Sequence, residues 1–495
     1  MEDLRGVVDI GSNSVRLVVY TGPNRAPVPI CNEKTLCALG RDLDATGAID
    51  DEAMACAIAT LRRFQAVLTA MGGAKVRAVA TAAVREASNG ADFVSAARTL
   101  GFDVEVLSGA EEARQAALGV LAAEPSAKGV VGDLGGGSLE LIDIDGTAGD
   151  LESKLGARES LSVGPLRLIG ESGGDRKKAQ GIVEKRLEAV DWLTSGPART
   201  LYVVGGAWRA LARIHMASKG YPLSVLHHYE MSDEEALSIA DWVGAVKDPR
   251  TLENIPGVPR RRIDMLPYAA LTLEMLIRMG RIENIVISST GLREGLLYEQ
   301  LSPAEQAEDP LIAAADEWAR RLSPNPAFGC AAERFTEALF PGESMAEKRL
   351  RKAACRMADI GALFHPDHRA AQAFATVLHA PFTALDHDGR IFLSYALFRR
   401  YAGRSATAPT PQVVALLDNR TRRAAERLGL ALRFAGEFAP KASDSLGVCT
   451  WGLKEGVLTF RAPVRFEPLF SETVKKRLGA VADAFDATLD LQVSG

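Results

Sequence analysis

Two stretches, VVDIGSNSVRLVVY at Val7–Tyr20 and VVGDLGGGSLELIDI at Val130–Ile144, are one pattern written twice: an apolar strand, a glycine-bearing turn and a second apolar strand. The offset that carries Asp9 onto Asp133 also carries Gly11 onto Gly135, Ser14 onto Ser138 and Leu17 onto Leu141. A tight turn with an acid before it and a hydroxyl after it presents backbone N–H groups to an anion and a carboxylate to that anion's metal. Two such turns facing each other would clamp a phosphate.

Outward from the first copy, residues 1–123 read as a helix from Asp50 to Met71, strands at Val76–Thr81 and Val104–Leu107, and a helix from Ser108. The small-residue break 122–129 precedes the second copy. That copy opens a similar stretch, 124–302, with a strand at Leu201–Val204, the pair Gly205-Gly206, a helix from Ala207 and a closing strand–turn–helix in ENIVISSTGLREGLLYEQL. Two halves of alternating strands and helices make a duplicated α/β unit, with the ligand expected in the cleft between them. Residues 303–433, rich in Ala and Arg, read as a helical domain. Residues 434–495 read as a small α+β domain with a strand near Gly456–Ala462 and a helix at Ser471–Phe485.

With 495 residues the chain exceeds one core, and 47% hydrophobic with 24% charged residues is a globular composition. No apolar run is long enough for a membrane helix, and the acidic start Met1-Glu-Asp-Leu-Arg is unlike a signal peptide, so a cytoplasmic protein is expected. The six cysteines form no C-x-x-C pair, which predicts neither zinc site nor disulfide framework. A net charge of −5 argues against nucleic acid as partner and leaves polyanions to local basic patches.

The first loop, Gly11-Ser12-Asn13-Ser14, has no Walker lysine and runs into a strand; alone it could be an ordinary hairpin turn. In the second, Gly135, Gly136 and Gly137 remove three side chains ahead of Ser138, so a phosphate could reach the main chain. Asp133 and Glu140 flank this loop and could share Mg²⁺; the bland alternative is a pair of solubilising acids. Ser108-Gly-Ala-Glu111 fits a capping box, while a cleft-facing Glu111 could instead deprotonate an attacking water. Arg85 is either a phosphate ligand or an exposed helix charge, and Gly205-Gly206 either an anion-binding helix start or a tight turn. Ala358-Asp-Ile-Gly361, with His365 and His368 following, resembles the H-D-I-G core of HD phosphohydrolases without its first histidine; His387-Asp388 reads as a surface dipeptide. The basic clusters Arg260–Arg262, Lys348–Lys352 and Arg399-Arg400 could together line a polyphosphate path.

At VDIGSNSVRL, TAAVREA, SGAEEARQAALGV, GDLGGGSLEL and SSTGLREGLLYE, in that order, the chain resembles the exopolyphosphatase/guanosine pentaphosphate phosphatase family of the sugar kinase, Hsp70 and actin superfamily. The resemblance implies two actin-like (ribonuclease H-like) α/β domains followed by the HD-like helical domain and the small α+β segment. It implies processive release of terminal orthophosphate from inorganic polyphosphate, with Mg²⁺ or Mn²⁺, K⁺ as activator, and a homodimer. Hydrolysis of guanosine pentaphosphate is the alternative within the family, and a polyphosphate-sensing or nucleotide-sensing module the alternative outside enzymes. By motif match Glu111 would be the base; Asp133, Glu140 and Asp9 would face the metal; Ser12, Asn13, Ser14, Arg85, Gly135, Gly136, Gly137, Ser138, Gly205 and Gly206 would grip phosphates. Trp208, where relatives carry small residues nearby, would obstruct a nucleotide base.

Overall fold

The computed structural model describes residues 4–41, 43–440 and 442–494. The chain divides into two compact units, Met1–Ala307 and Glu308–Gly495.

The first unit contains two sheets. In one, β1 (Arg5–Ile10), β2 (Ser14–Thr21), β3 (Val28–Leu36), β4 (Lys75–Ala80) and β5 (Val104–Val106) lie in the order β3-β2-β1-β4-β5. In the other, β6 (Lys128–Leu134), β7 (Leu139–Asp145), β8 (Leu155–Leu161), β9 (Arg199–Val204), β10 (Glu230–Ser232) and β11 (Ile282–Ile287) lie in the order β10-β11-β9-β6-β7-β8. Starting from β8, the second sheet repeats the order of the first through β11, and β10 adds an antiparallel edge. In both, a three-stranded antiparallel meander is extended by parallel strands.

Strands buried on both faces explain the apolar runs seen in the sequence. In β1 and β2 alternate residues divide between two cores: Val8, Ile10, Leu17 and Val19 pack with Leu61 and Phe64 of the helix Asp51–Ala70, while Val7, Val18 and Tyr20 face Leu292, Leu296 and Leu297. That second core comes from the distant end of the unit, the helix Leu292–Tyr298. The exchange is mutual. The helix Gly109–Ala123, which the sequence placed with the first half, lays Ala113, Ala116, Ala117 and Val120 on Val131, Ile142 and Ile144 of the second sheet. A split at 123/124 therefore separates this helix from the sheet that buries it.

These two helices meet main chain to main chain. A Cβ added at Gly119 would lie 2.0 Å from the Gly291 carbonyl oxygen, and one at Gly295 would lie 1.9 Å from that of Gln115. Only glycine permits so close an approach.

The second unit is mostly helical and ends in a three-stranded sheet, β12 (Thr450–Lys454), β13 (Val457–Pro463) and β14 (Thr488–Ser494). The boundary expected at 433/434 falls inside the helix Asn419–Phe438. Phe434 and Phe438 of that helix pack edge-on against Phe460 of β13, with centroids 5.1 and 5.7 Å apart, so helices and sheet share one aromatic core. His387-Asp388 is no surface dipeptide either: it begins the helix His387–Ala402, capped by Asp386, and His387 is buried.

Candidate active site

The two expected loops lie against each other. A Cβ on Gly136 would sit 3.7 Å from Asn13 Cβ, and one on Gly137 would sit 3.5 Å from Ser12 Oγ. Their internal geometry matches as well: Gly11 N–H donates to the Ser14 carbonyl at 3.0 Å, and Gly135 N–H to that of Ser138 at 2.9 Å. A glycine after the third strand backs each turn, Gly40 N–H donating to Ser12 O and Gly164 N–H to Gly137 O.

Between the loops lies a cavity of about 190 Å³. Ser12, Asn13, Ser14, Gly135, Gly136, Ser138, Gly205 and Gly206 line it, together with Asp9, Asp133 and Glu140. Gly205 has φ 102°, and a Cβ there would come within 2.5 Å of Leu134 O, so this turn requires glycine. The helix Gly206–Ser218 then starts at the cavity rim with its N–H groups. Gly137 supports the opposite loop without lining the cavity.

Three sequence expectations are corrected. Glu111 points away from the cavity: its carboxylate accepts from Gln115 Nε2 at 2.8 Å and Arg114 Nη1 at 3.1 Å, in a network that runs through Glu299 to Arg77. Its neighbour Glu112 lines the cavity instead. Ser108 caps the helix by accepting from Glu111 N–H at 3.1 Å, and the turn that follows swings residue 112 inward. Arg85 does not line the cavity; it donates to Leu107 O at 2.8 Å and to Glu112 Oε2 at 3.3 Å, holding that carboxylate in place. Trp208 is buried, its Nε1 donating to Ala269 O at 2.9 Å, so it obstructs nothing in the cavity.

The acids form a group. Asp133 and Glu140 are cross-strand partners in β6 and β7. Burial pushes Asp133 up to about 6, and Arg209 and Arg293 offset only part of the shift. Burial pushes Glu140 to about 7, although the Ser138 and Ser160 hydroxyls hydrogen-bond its carboxylate; Ser160 Oγ is 3.0 Å away. Glu112 is raised well above the carboxylate range by burial and by the charge of Glu140.

Of the cations lining the cavity only Arg262, within the cluster Arg260–Arg262, was expected to meet the ligand. Arg16, Lys34, Arg209, Arg262 and Arg293 all line the cavity. Burial pulls Arg209 down to about 10, with Arg293 and Arg262 adding repulsion, and pulls Lys34 down to about 7 with help from Arg262 and Arg16. Arg209 is in the first turn after Gly205-Gly206, and Arg293 in the turn after β11; these small-residue turns were the available signal. Of the basic clusters, Arg262 reaches this cavity. Lys348, Arg349 and Arg351 are instead paired with Glu337, Asp309 and Glu343.

Buried acids with raised pKa values beside clustered, mutually repelling cations suit an anionic ligand accompanied by a divalent cation. Among the described residues no three His, Cys, Asp or Glu side chains are grouped to cage a metal. The donors fit Mg²⁺ held in its usual way, by one or two carboxylates with substrate oxygens and water completing the shell.

Fold and cavity thus describe a phosphate-handling α/β protein, and comparison with known proteins gives its class. The profile of the Ppx/GppA phosphatase family matches residues 18–304, and that described as "Exopolyphosphatase, C-terminal" matches residues 311–491. The chain belongs to the Ppx/GppA phosphatase family and is a phosphatase enzyme. It is 29% identical over 311 residues to Exopolyphosphatase 1 of Mycobacterium leprae, covering 60% of this chain and 89% of the relative. It is 25% identical over 447 residues to Retrograde regulation protein 2 of Saccharomyces cerevisiae, covering 81% and 73%. An exopolyphosphatase structure from Cytophaga hutchinsonii superposes with a TM-score of 0.54 at 26% identity, over 60% of this chain and 97% of that one. An Aquifex aeolicus Ppx/GppA structure, 22% identical, shares the fold over 62% and 100% with a TM-score of 0.52. Among the described residues no helix is long and apolar enough to cross a membrane.

Proposed function

We propose that this chain is an exopolyphosphatase that releases terminal orthophosphate from inorganic polyphosphate. The observation carrying this reading is the cavity lining: five cationic side chains, two phosphate-type loops and three buried acids, with no aromatic side chain among them. A nucleotide base would call for a stacking surface, and a space of about 190 Å³ falls below the roughly 300 Å³ at which pockets for larger organic ligands begin. A phosphate chain asks only for charge and N–H donors.

In this reading Arg16, Lys34, Arg209, Arg262 and Arg293 neutralise the chain's oxygens, and N–H groups of the two loops other than the turn-closing Gly11 and Gly135 orient the terminal group. Glu112, held by Arg85, accepts a proton from water as the water oxygen bonds to the terminal phosphorus. The P–O bond to the next phosphate breaks, and its electron pair leaves with the shortened chain. Asp133 and Glu140, with Asp9 at the edge, would hold Mg²⁺ or Mn²⁺, which supplies charge neutralisation at the phosphoryl oxygens when bound. The duplicated actin-like description suits the two sheets of equal strand order.

The test is phosphate release by the purified chain from long-chain polyphosphate and from guanosine pentaphosphate under matched conditions. Polyphosphate should give the higher kcat/KM. Preference for the nucleotide would replace this reading with that of a guanosine pentaphosphate phosphohydrolase, and binding of either without turnover would make the chain a sensor.

A further inference from the structure

The helical unit holds a second, separate cavity of about 380 Å³, lined by Asp359, Arg369, Arg400, Tyr401, Arg433 and Glu437, among others. It lies beside the Ala358–Gly361 stretch, where an HD enzyme would hold a metal. The charge here is the reverse of what a metal needs. Asp359 is 3.6 Å from Arg400 Nη2, and Tyr401 O–H donates to the Ala358 carbonyl at 3.1 Å.

Arg369 and Arg433 carry the argument. Each uses part of its guanidinium on main-chain carbonyls, Arg369 on Phe364 at 2.9 Å and Arg433 on Arg400 at 3.4 Å. Among the described residues neither has a carboxylate oxygen within 4 Å, although both are half-buried. Burial, Arg477 and Arg400 together lower Arg433. Half-buried arginines beside an open cavity, with Arg433 repelled by Arg400 and Arg477, cost stability unless an anion joins them. Gly436 makes the room: a Cβ there would lie 2.2 Å from Arg400 Nη2.

We propose that this cavity is a binding site for a small phosphorylated anion, its phosphoryl group held by Arg369, Arg400 and Arg433. The source is either free diphosphate or the phosphate end of an organic molecule, for which the half-buried Tyr401 offers aromatic surface. The site lies wholly within Glu308–Gly495 and does not depend on what the catalytic cavity hydrolyses.

The test is hydrogen–deuterium exchange on the full chain with pyrophosphate and, separately, adenosine diphosphate. Both the cavity and its gatekeeping charges are then read locally, apart from any binding at the catalytic loops. Expected is protection of the 359–369 segment. Arg433→Gln should raise the half-saturating concentration about 10-fold or more, the scale of a lost charge-assisted hydrogen bond. Because that variant could also loosen the fold, Glu437→Gln is the second arm. It removes a repelling lining charge and should lower the half-saturating concentration about 3- to 5-fold, a gain that damage to the fold would not produce. Stronger protection by adenosine diphosphate assigns an organic ligand, and equal protection assigns free diphosphate. No protection by either probe, protection by long-chain polyphosphate alone, or indifference to both substitutions overturns the proposal.

Discussion

The two hairpins share a backbone and, where they line the cavity, differ in one charged position. Across the first, Asp9 pairs in register with Arg16; across the second, Asp133 pairs with Glu140 at the equivalent positions. The hydrogen bonds that close the turns are the same. One frame therefore presents a cation on one side of the cavity and a second carboxylate on the other, and in the proposed function the sign of that side chain separates gripping from chemistry.

The sharpest way to break this contrast is at the second hairpin's helical neighbour. Glu112→Gln is expected to cut kcat by about 10²- to 10⁴-fold, the range of general-base catalysis, measured as phosphate release from polyphosphate. Glu111→Gln should leave kcat within about three-fold while lowering the melting temperature, because it disturbs only a part-buried hydrogen-bond network away from the cavity, at a cost of about 1 kcal/mol. The reverse result would return the base to Glu111.

Next in size is the direct pair. Glu140→Gln should lower kcat about 10²-fold with little change in KM, and Arg16→Gln should raise KM about 10-fold with kcat nearly kept. Equal effects on both parameters at both positions would erase the division of labour. A stability test comes third: Gly119→Ala forces apart the two helices that cross between the sheets, and should cost about 1–3 kcal/mol in a denaturant titration. The smallest effect concerns pH. Lys34, held near 7 by burial and its cationic neighbours, is charged below that pH and neutral above it. The carboxylates titrate alike in wild type and Lys34→Arg, so the ratio of wild-type to Lys34→Arg kcat/KM isolates the lysine and should fall by about 5-fold between pH 6.5 and 8.5.

The hairpins were legible in the sequence because period-two apolar runs and small turn residues are local signals. Their mutual contact followed from the repetition. The exchange of helices was not legible, since nothing local in SGAEEARQAALGV says which sheet will cover its alanines. Glu111 and Glu112 illustrate the same limit at one residue: consecutive helical positions point about 100° apart, and only packing decides which faces the ligand. Lys34, Arg209, Arg262 and Arg293 arrive from four separate segments, so their convergence is a property of the fold. Trp208 misled because a residue next to a ligand turn can still point into the core.

The glycine crossing of the helices Gly109–Ala123 and Leu292–Tyr298 has a consequence for precision. Glu112 stands in the first turn of one helix and Arg293 in the first turn of the other, and the closest approaches between the two helices, at Gly119 and Gly295, are main chain to main chain. At those two points no rotamer can shift to absorb an error. The spacing between Glu112 and Arg293, proton acceptor and anion clamp in the proposed mechanism, is thus held close to the tolerance of peptide geometry, and substitutions that merely repack either sheet should disturb it by no more than that.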